Sequence, residues 1–207
     1  MRSTGTCTYA LGKTSWGWVG VAGTDRGVIR VLLPYSDRRA ARAAILDDLG
    51  PILEDPAGYP EVFAALERYF AGERVAFDFP LAPPGTPFQL AVWEAVRRIP
   101  HGETRSYGQI AAAVGRPRGA HAVGQAVARA PLGVIIPCHR VIAADGTIGW
   151  FGRYGESVDL KRRLLALEGV ASLPDTPLRG RLRRAASPRP LDRLPGDGSA
   201  SLGARGS

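Results

Sequence analysis

The apolar positions change spacing along the chain, from strand-like alternation to helical periodicity. Residues 6–33 mix Tyr, Trp, Val and Ile with regularly placed glycines. This pattern predicts several short strands joined by turns, and so a small antiparallel sheet. Two helices are predicted next, over Asp37–Leu49 and Glu61–Phe70, and we expect both to pack on the sheet. The apolar residues of the second helix share one face: Val62, Leu66 and Tyr69.

A proline-rich segment separates this strand-rich part from a helical part. The run 80–87 holds four prolines and one glycine, a composition typical of a domain linker. We therefore predict an N-terminal α/β domain over residues 1–80, a linker over 81–86 and a second domain over 87–170. The Pro, Arg, Ser and Gly content of residues 171–207 predicts a basic, disordered tail.

Capping signals mark the helices of the second domain. Thr86 and Gln89 have the spacing of a capping box, and Pro87 occupies the position that proline favours at a helix start. A helix is therefore expected to begin at Pro87 and to end before Pro100. A last helix is predicted from about Ser157 to Glu168, because leucines recur there at helical spacing.

Two shorter helices between them have the spacing of a DNA-binding motif. Ser106 and Gln109 form a second capping box that opens one helix, and another runs from about Arg118 to Arg129. Joined by a short turn that begins at Gly115, they fit a helix-turn-helix, while an ordinary helical hairpin remains the alternative. The expected fold is α+β, with a winged-helix-like C-terminal domain.

The segment 133–143 carries the strongest chemical signal. It is apolar on both sides of Cys138-His139-Arg140 and is predicted to be a buried strand interrupted by reactive residues. A free thiol with a pKa of about 8.5 is only ~3% thiolate at neutral pH, so a nucleophilic cysteine needs a base or a cationic neighbour. Adjacent strand residues face opposite sides, so His139 would reach Cys138 only through a distorted backbone or a water. The alternative is that both are ordinary core residues.

Charge is distributed unevenly along the chain. The net charge is +8, and residues 86–170 hold eleven Lys and Arg against six Asp and Glu, whereas residues 1–85 hold nine against ten. A basic second domain is typical of a surface that binds nucleic acid, because phosphate neutralisation supplies most non-specific affinity. A domain that is basic for no such reason is the alternative.

The remaining composition excludes several classes of protein. Cys7 and Cys138 are the only cysteines, so neither a disulfide framework nor a four-ligand metal site is expected. The chain has no apolar run of about 20 residues and no export pattern at its N-terminus. We therefore expect a cytoplasmic protein without a membrane span or a metal site, and its abundance of Ala, Arg, Gly and Pro is typical of a bacterial coding bias.

The motif Ile136–Ile142 resembles the signature of the O6-alkylguanine-DNA alkyltransferases, also called methylated-DNA–protein-cysteine methyltransferases. The similarity extends from about Gly85 to Gly169, whereas the first 80 residues are similar only in architecture and the tail does not match. Further motifs in the same order are Gly85–Trp93, Ile99–Gly108, Ala122–Gly124 and Leu164–Gly169.

The resemblance implies direct, irreversible transfer of an alkyl group from O6-alkylguanine, or O4-alkylthymine, in flipped-out duplex DNA to Cys138. It implies that His139 removes the thiol proton through a water, that Glu168 orients His139, and that Tyr107 donates to a guanine ring nitrogen. The backbone carbonyls of Cys138 and Val141 would accept from the exocyclic amine. Each molecule, expected to be a monomer, would react once and need no cofactor.

The resemblance also implies that the predicted helix Arg118–Arg129 lies along the minor groove. Arg140 is expected to be structural or to face a phosphate. The family usually inserts an arginine in place of the flipped base, and this chain has His121 there. His121 could stack between bases, while Arg118, three residues earlier on the same predicted helix, could supply the charge. The predicted DNA-contacting residues are Ser106, Arg118, His121, Ala122, Gly124, Arg129 and Arg140.

Three further positions depart from the family pattern. Ala130 replaces an asparagine and Gly133 a frequent proline, and both changes are expected to loosen the site. Residues 149–156 replace a shorter segment that lines the alkyl pocket, which predicts a pocket for adducts larger than methyl. Packing of these aromatics on the last helix is the alternative. The predicted pocket residues are Val141, Trp150, Phe151, Gly152, Arg153 and Tyr154.

Other functions remain open at this stage. An alkyltransferase-like module would recognise lesions without reacting, but such proteins lack the cysteine that this chain has at Cys138. A cysteine hydrolase would use Cys138, His139 and Glu168 with multiple turnover. A specialised alkyltransferase could take bulky adducts, or protect a producer from its own DNA-alkylating metabolite.

Overall fold

The computed structural model describes residues 6–149, 158–171, 173 and 174. Within this part of the chain, no helix is both long enough and apolar enough to cross a bilayer. The strands are β1 (Thr8–Thr14), β2 (Gly17–Thr24), β3 (Gly27–Val31), β4 (Leu53–Glu54), β5 (Arg105–Ser106) and β6 (Val141–Ile142). The helices are α1 (Arg38–Leu49), α2 (Pro60–Phe70), α3 (Pro87–Arg97), α4 (Tyr107–Ala113), α5 (Ala120–Ala128) and α6 (Val158–Leu167).

The N-terminal domain is built on a four-stranded sheet in the order β3-β2-β1-β4. β1 and β2 form an antiparallel hairpin in which Thr14 lies opposite Gly17. Gly17 has a φ of 132°, and a Cβ there would lie 2.5 Å from the carbonyl oxygen of Tyr35, so only glycine fits this turn. β3 is antiparallel to β2, and β4 is parallel to β1.

Alternate residues of β2 point to opposite faces of the sheet, and both faces are buried. Val19 and Val21 belong to the main core that α2 and the C-terminal domain share, whereas Ala22 packs in a smaller cluster with Ala41 and Ile45 of α1. The predicted sheet and both predicted helices are confirmed. The predicted apolar face of α2 is fully buried: Val62, Leu66 and Tyr69.

The proline-rich segment follows the open edge of β3. The Val28 amide donates to the Pro80 carbonyl, and the Ala82 amide donates back to the Val28 carbonyl, both at 2.9 Å. This segment is therefore attached to the sheet by backbone hydrogen bonds, while its limits as a linker, 81–86, remain a prediction.

The same edge also holds the segment that leads into Cys138. The Val31 amide donates to the Pro131 carbonyl, and the Gly133 amide donates to the Val31 carbonyl, each at 3.0 Å. A Cβ on Gly133 would lie only 3.0 Å from Cγ of Leu33. The glycine thus permits close contact between the two domains immediately before the reactive cysteine.

The C-terminal domain begins with the predicted capping box. Thr86 Oγ1 accepts from the Gln89 amide at 3.3 Å, and Gln89 Oε1 accepts from the Thr86 amide at 2.9 Å. The buried indole of Trp93 in α3 donates to the Ala126 carbonyl of α5 at 2.8 Å. These bonds fix the start of α3 and its position against α5.

α4 and α5 are consecutive helices packed on each other, as the helix-turn-helix prediction requires. The Ser106–Gln109 capping box of α4 is confirmed, with hydrogen bonds of 3.2 and 2.7 Å. However, α5 begins at Ala120, and the turn before it spans Val114–Gly119. Arg118 therefore lies in this turn and not in α5.

The predicted strand over 133–143 is wrong. Val134 has a φ of 67°, and two tight turns follow, in which the Ile135 amide donates to Gly133 and the Cys138 amide to Ile136. Cys138–Arg140 then form one 3₁₀ turn, and only β6 is extended. Left-handed backbone at Val134 is incompatible with a continuous strand, so the chain bends sharply and turns Cys138 toward α5.

Candidate active site

Cys138 lies at the start of the 3₁₀ turn and faces α5. Its Sγ is 3.5 Å from the carbonyl oxygen of Val127, and the residue is partly exposed. Burial of the sulfur raises the pKa of Cys138 to about 12. The resting thiol is therefore protonated at neutral pH and needs a base before it can act as a nucleophile.

His139 is buried next to Cys138 and is held by a carboxylate. Its Nε2 lies 2.7 Å from Oε1 of Glu168, and no direct hydrogen bond joins thiol and imidazole within the described chain. Burial lowers the pKa of His139, and the hydrogen bond and charge of Glu168 offset only part of that effect. A neutral imidazole whose Nε2 donates to Glu168 leaves Nδ1 as its basic nitrogen.

The Glu168 carboxylate follows α6 and is fully buried. Its Oε1 accepts from the Tyr69 hydroxyl at 2.6 Å, and its Oε2 accepts from Arg140 Nε at 2.7 Å and from the Gly102 amide at 3.2 Å. Burial alone would raise the pKa of Glu168, but the hydrogen bonds from His139, Arg140 and Tyr69 outweigh it and hold that pKa well below its usual range. Glu168 is therefore an ionised acceptor for His139.

Arg140 completes this buried network. Besides Nε, its Nη2 donates to Oε1 of Glu168 at 2.8 Å, and its Nη1 donates to the Ile99 carbonyl at 2.6 Å. A bidentate guanidinium–carboxylate pair of this kind fixes both groups. The placement of Arg140 among the DNA contacts is corrected accordingly, because its side chain is largely buried and its donors are engaged inside the protein.

Lys161 of α6 places a positive charge near the thiol of Cys138. It is fully buried, and its Nζ donates to the Val141 carbonyl at 2.6 Å. Burial lowers the pKa of Lys161 to about 8, while Cys138 acts in the opposite direction. The charge of Lys161 in turn partly lowers the pKa of Cys138. Lys161 thus favours the thiolate whenever the lysine is protonated.

Tyr107, the first residue of α4, lies against α5 and against Gly149. Its ring is 3.8 Å from the place that a Cβ on Gly124 would occupy, and its hydroxyl is 3.7 Å from the corresponding place on Gly149. Burial, with a smaller contribution from Cys138, raises the pKa of Tyr107 to about 12. The phenol therefore stays protonated and can donate a hydrogen bond.

Four of the predicted DNA-contacting residues are exposed on α5 or next to it. His121, Ala122 and Arg129 are exposed on or just after this helix, and Arg118 is exposed in the preceding turn. Helical spacing predicted that Arg118 and His121 share one face of a helix. This prediction is wrong, because Arg118 lies outside α5. Ser106 is the N-cap of α4, so its hydroxyl already accepts a backbone hydrogen bond.

Two family models match the chain. One, described as the ribonuclease-like domain of 6-O-methylguanine DNA methyltransferase, matches residues 7–83. The other, described as the DNA binding domain of the same protein, matches residues 87–170. The chain belongs to the 6-O-methylguanine DNA methyltransferase family. The α+β fold, with a strand-rich N-terminal domain and a helical C-terminal domain, is that of this family.

Relatives in the methyltransferase family agree with this assignment. The methylated-DNA–protein-cysteine methyltransferase of Methanosarcina acetivorans is 48% identical over 117 residues, covering 56% of this chain and 73% of the relative. That of Methanosarcina mazei is 40% identical over 148 residues, covering 72% and 88%. The solved structure of Mycobacterium tuberculosis OGT in complex with DNA is 36% identical, with a TM-score of 0.66, covering 78% of this chain and 92% of that one.

The structure brings together the four residues predicted to be catalytic in this methyltransferase fold, Cys138, His139, Glu168 and Tyr107. Val141 lies beside them, and its carbonyl already accepts from Lys161. The other predicted pocket residues are outside the described part of the chain: Trp150, Phe151, Gly152, Arg153 and Tyr154. In the described chain, no three His, Cys, Asp or Glu side chains are grouped to hold a metal ion.

Two residues of this site, Lys161 and Tyr69, were not predicted as site residues from the sequence. Lys161 precedes Leu164 and Leu165 by three and four positions, so helical spacing already placed a lysine on the buried face. Tyr69 was predicted to be buried with Val62, and a buried phenol requires a hydrogen-bond partner. Neither pattern identifies that partner, because Val141 and Glu168 are distant in sequence.

Replacing Glu168 by glutamine tests the charged state of the network. The folded-state pKa of Glu168 lies below its unfolded value of about 4.3, so its stabilisation is complete above that value and is lost as the pH falls through the folded-state pKa. We expect E168Q to lower the free energy of unfolding at neutral pH by about 3–5 kcal/mol. Denaturant unfolding should also show a weaker loss of stability below about pH 4 than in the wild type.

The control is E94Q, because Glu94 forms only exposed ion pairs and its loss should change stability by less than about 1 kcal/mol. Identical acid dependence of E168Q and the wild type would show that Glu168 is not an ionised acceptor in the folded protein.

Proposed function

We propose that this protein repairs DNA by moving an alkyl group from O6 of a flipped-out guanine to Sγ of Cys138. The sulfur lone pair forms the new S–C bond while the O6–C bond breaks and its electron pair stays on the guanine. The observation that carries the proposal is a cysteine that is partly exposed as a residue and lies beside a buried histidine–carboxylate pair. The names of the relatives, methylated-DNA–protein-cysteine methyltransferases, support the same chemistry.

His139 is the base in this proposal. With Nε2 engaged by Glu168, its Nδ1 can take the thiol proton through one water, since no direct contact to Cys138 exists in the described structure. Glu168 then stabilises the imidazolium, as the carboxylate of a catalytic triad does. The positive charge of Lys161 favours the same thiolate.

Tyr107 assists the departing base. As the O6–C bond breaks, negative charge moves onto the guanine ring, and the protonated phenol of Tyr107 donates to a ring nitrogen there. Its high pKa keeps that proton in place until charge develops. The carbonyls of Cys138 and Val141 each have an internal donor and a second lone pair free to accept from the exocyclic amine.

Duplex DNA carrying the lesion is the partner, bound by one copy of the chain. The small residues Ala122, which is exposed, and Gly124, which is half-buried, let α5 approach the DNA closely, and the basic C-terminal domain attracts phosphate. Extrusion of a base costs a few kcal/mol, least where the lesion is mispaired. The solved complex of the Mycobacterium tuberculosis OGT with DNA supports DNA as the partner.

Stoichiometry tests the proposal against its alternatives. The product thioether has no leaving group that the site could hydrolyse, so each molecule should react once. We expect a duplex with O6-methylguanine, in excess over protein, to lose one lesion per protein molecule and then stop. C138S should remove none.

Continued lesion loss beyond one equivalent would indicate a hydrolase that uses Cys138, His139 and Glu168. DNA binding without any lesion loss would indicate a recognition protein. Either outcome would overturn direct transfer as the function.

His121 is proposed to fill the space of the extruded base. Base–aromatic stacking is worth about 1–3 kcal/mol, so H121A should slow transfer in duplex DNA by about tenfold or more. Transfer in single-stranded DNA should be unchanged, because no base must be extruded. Single-turnover rates on the two substrates measure this, with Gln125→Ala on the same exposed face as control. Equal slowing on both substrates would contradict the role of His121 in extrusion.

The segment 150–154 is proposed to favour adducts larger than methyl, on the basis of its aromatic residues. Transfer from O6-benzylguanine should then be faster than transfer from O6-methylguanine in the same duplex. Equal rates would exclude this preference.

A further inference from the structure

Tyr69 carries a hydroxyl group from the N-terminal domain into the active site. It lies on α2, is 1% exposed and donates to Oε1 of Glu168 at 2.6 Å. The same oxygen accepts from Nε2 of His139, which is 3.2 Å from the Tyr69 hydroxyl. A side chain from one domain therefore contacts both members of the histidine–carboxylate pair in the other.

Packing explains the ring of Tyr69 but not its hydroxyl. The ring lies against Phe70 and Phe77, with centroids 5.8 and 6.2 Å away, and against His101 and His139 at 6.5 Å each. A phenylalanine would make the same ring contacts. A buried hydroxyl adds a desolvation cost that only its hydrogen bond offsets, so the bond to Glu168 is the reason for a tyrosine here.

We propose that Tyr69 is a positioning residue for alkyl transfer, whose hydroxyl holds Oε1 of Glu168 against Nε2 of His139. This role rests on the proposed function of Cys138 and His139. It gives the N-terminal domain a part in the reaction without contact to DNA or to the reacting atoms.

The connection between the domains is suited to this role. Backbone hydrogen bonds join Val31 of β3 to Pro131 and Gly133, seven and five residues before Cys138. α2 packs on the same sheet, so its Tyr69 and the reactive turn are held by one framework. The Tyr69 hydroxyl can thus keep a fixed distance to Glu168.

Loss of the hydroxyl should change the acid–base behaviour of His139 in a defined direction. Without the Tyr69 donor, the Glu168 carboxylate is more basic and stabilises the imidazolium more strongly, so the pKa of His139 rises. The imidazolium would then persist to higher pH, where it cannot accept the thiol proton. The charged and titratable groups around His139 are Glu168, Lys161, Arg140, His101, Tyr69 and Cys138.

The test is Y69F in the full chain, with the single-turnover rate of methyl transfer measured from about pH 5 to about pH 9. We expect a several-fold slower transfer at neutral pH and an acid limb displaced to higher pH, with unchanged DNA affinity. Y9F is the matched control, because Tyr9 is equally buried in the same domain and donates to another carboxylate, Glu54, at 3.0 Å. Y9F should keep the wild-type pH profile.

A second measurement does not depend on alkyl transfer. The chain has only three histidines, so the imidazole signals of His139 can be assigned by substitution and titrated by NMR. Y69F should raise the His139 pKa, and Y9F should leave it unchanged. Absence of transfer in the wild type would refute the proposed function while this titration still tested the role of Tyr69.

Two results would overturn the role of Tyr69. The first is a Y69F pH profile and His139 titration that coincide with those of the wild type. The second is a lower melting temperature in Y69F with both curves unchanged, which would show that the hydroxyl only stabilises the fold.

Discussion

The buried negative charge of Glu168 is the constraint on which the site depends. A carboxylate without partners would become neutral in such an interior, because desolvation strongly disfavours its charged form. Here it accepts from Tyr69, Gly102, His139 and Arg140, which come from three segments of the chain. The charge is therefore stabilised jointly by α2, the loop after α3 and the reactive turn. Assembly of the two domains and orientation of the histidine are coupled through this carboxylate.

Burial also sets the protonation state of the Cys138 thiol. It raises the pKa of Cys138 and so keeps the resting sulfur protonated, while Lys161 and the Glu168-bound His139 supply the means to remove that proton. A reagent that acts once cannot be renewed, so a thiol that is unreactive until the substrate arrives is suited to stoichiometric transfer. Burial also keeps the phenol of Tyr107 protonated, so that it can donate the proposed hydrogen bond to the leaving base.

Local signals predicted those parts of the fold that local interactions determine. The capping boxes at Thr86 and Ser106 depend on residues three positions apart, and both were found where expected. The reactive segment was predicted as a strand because its residues are apolar and β-branched, yet contacts with β3 and the left-handed Val134 bend it into turns. The motif around Cys138 predicted its role as the acceptor. No motif predicted the roles of Tyr69 and Lys161, because their partners are 99 and 20 residues away in sequence.

Intact-protein mass after incubation with duplex DNA containing O6-methylguanine tests the central claim most directly. The account predicts that the protein gains one methylene mass, that peptide mapping places it on Cys138, and that C138A gains nothing. No gain in mass despite DNA binding, or a methyl group on another residue, would contradict it.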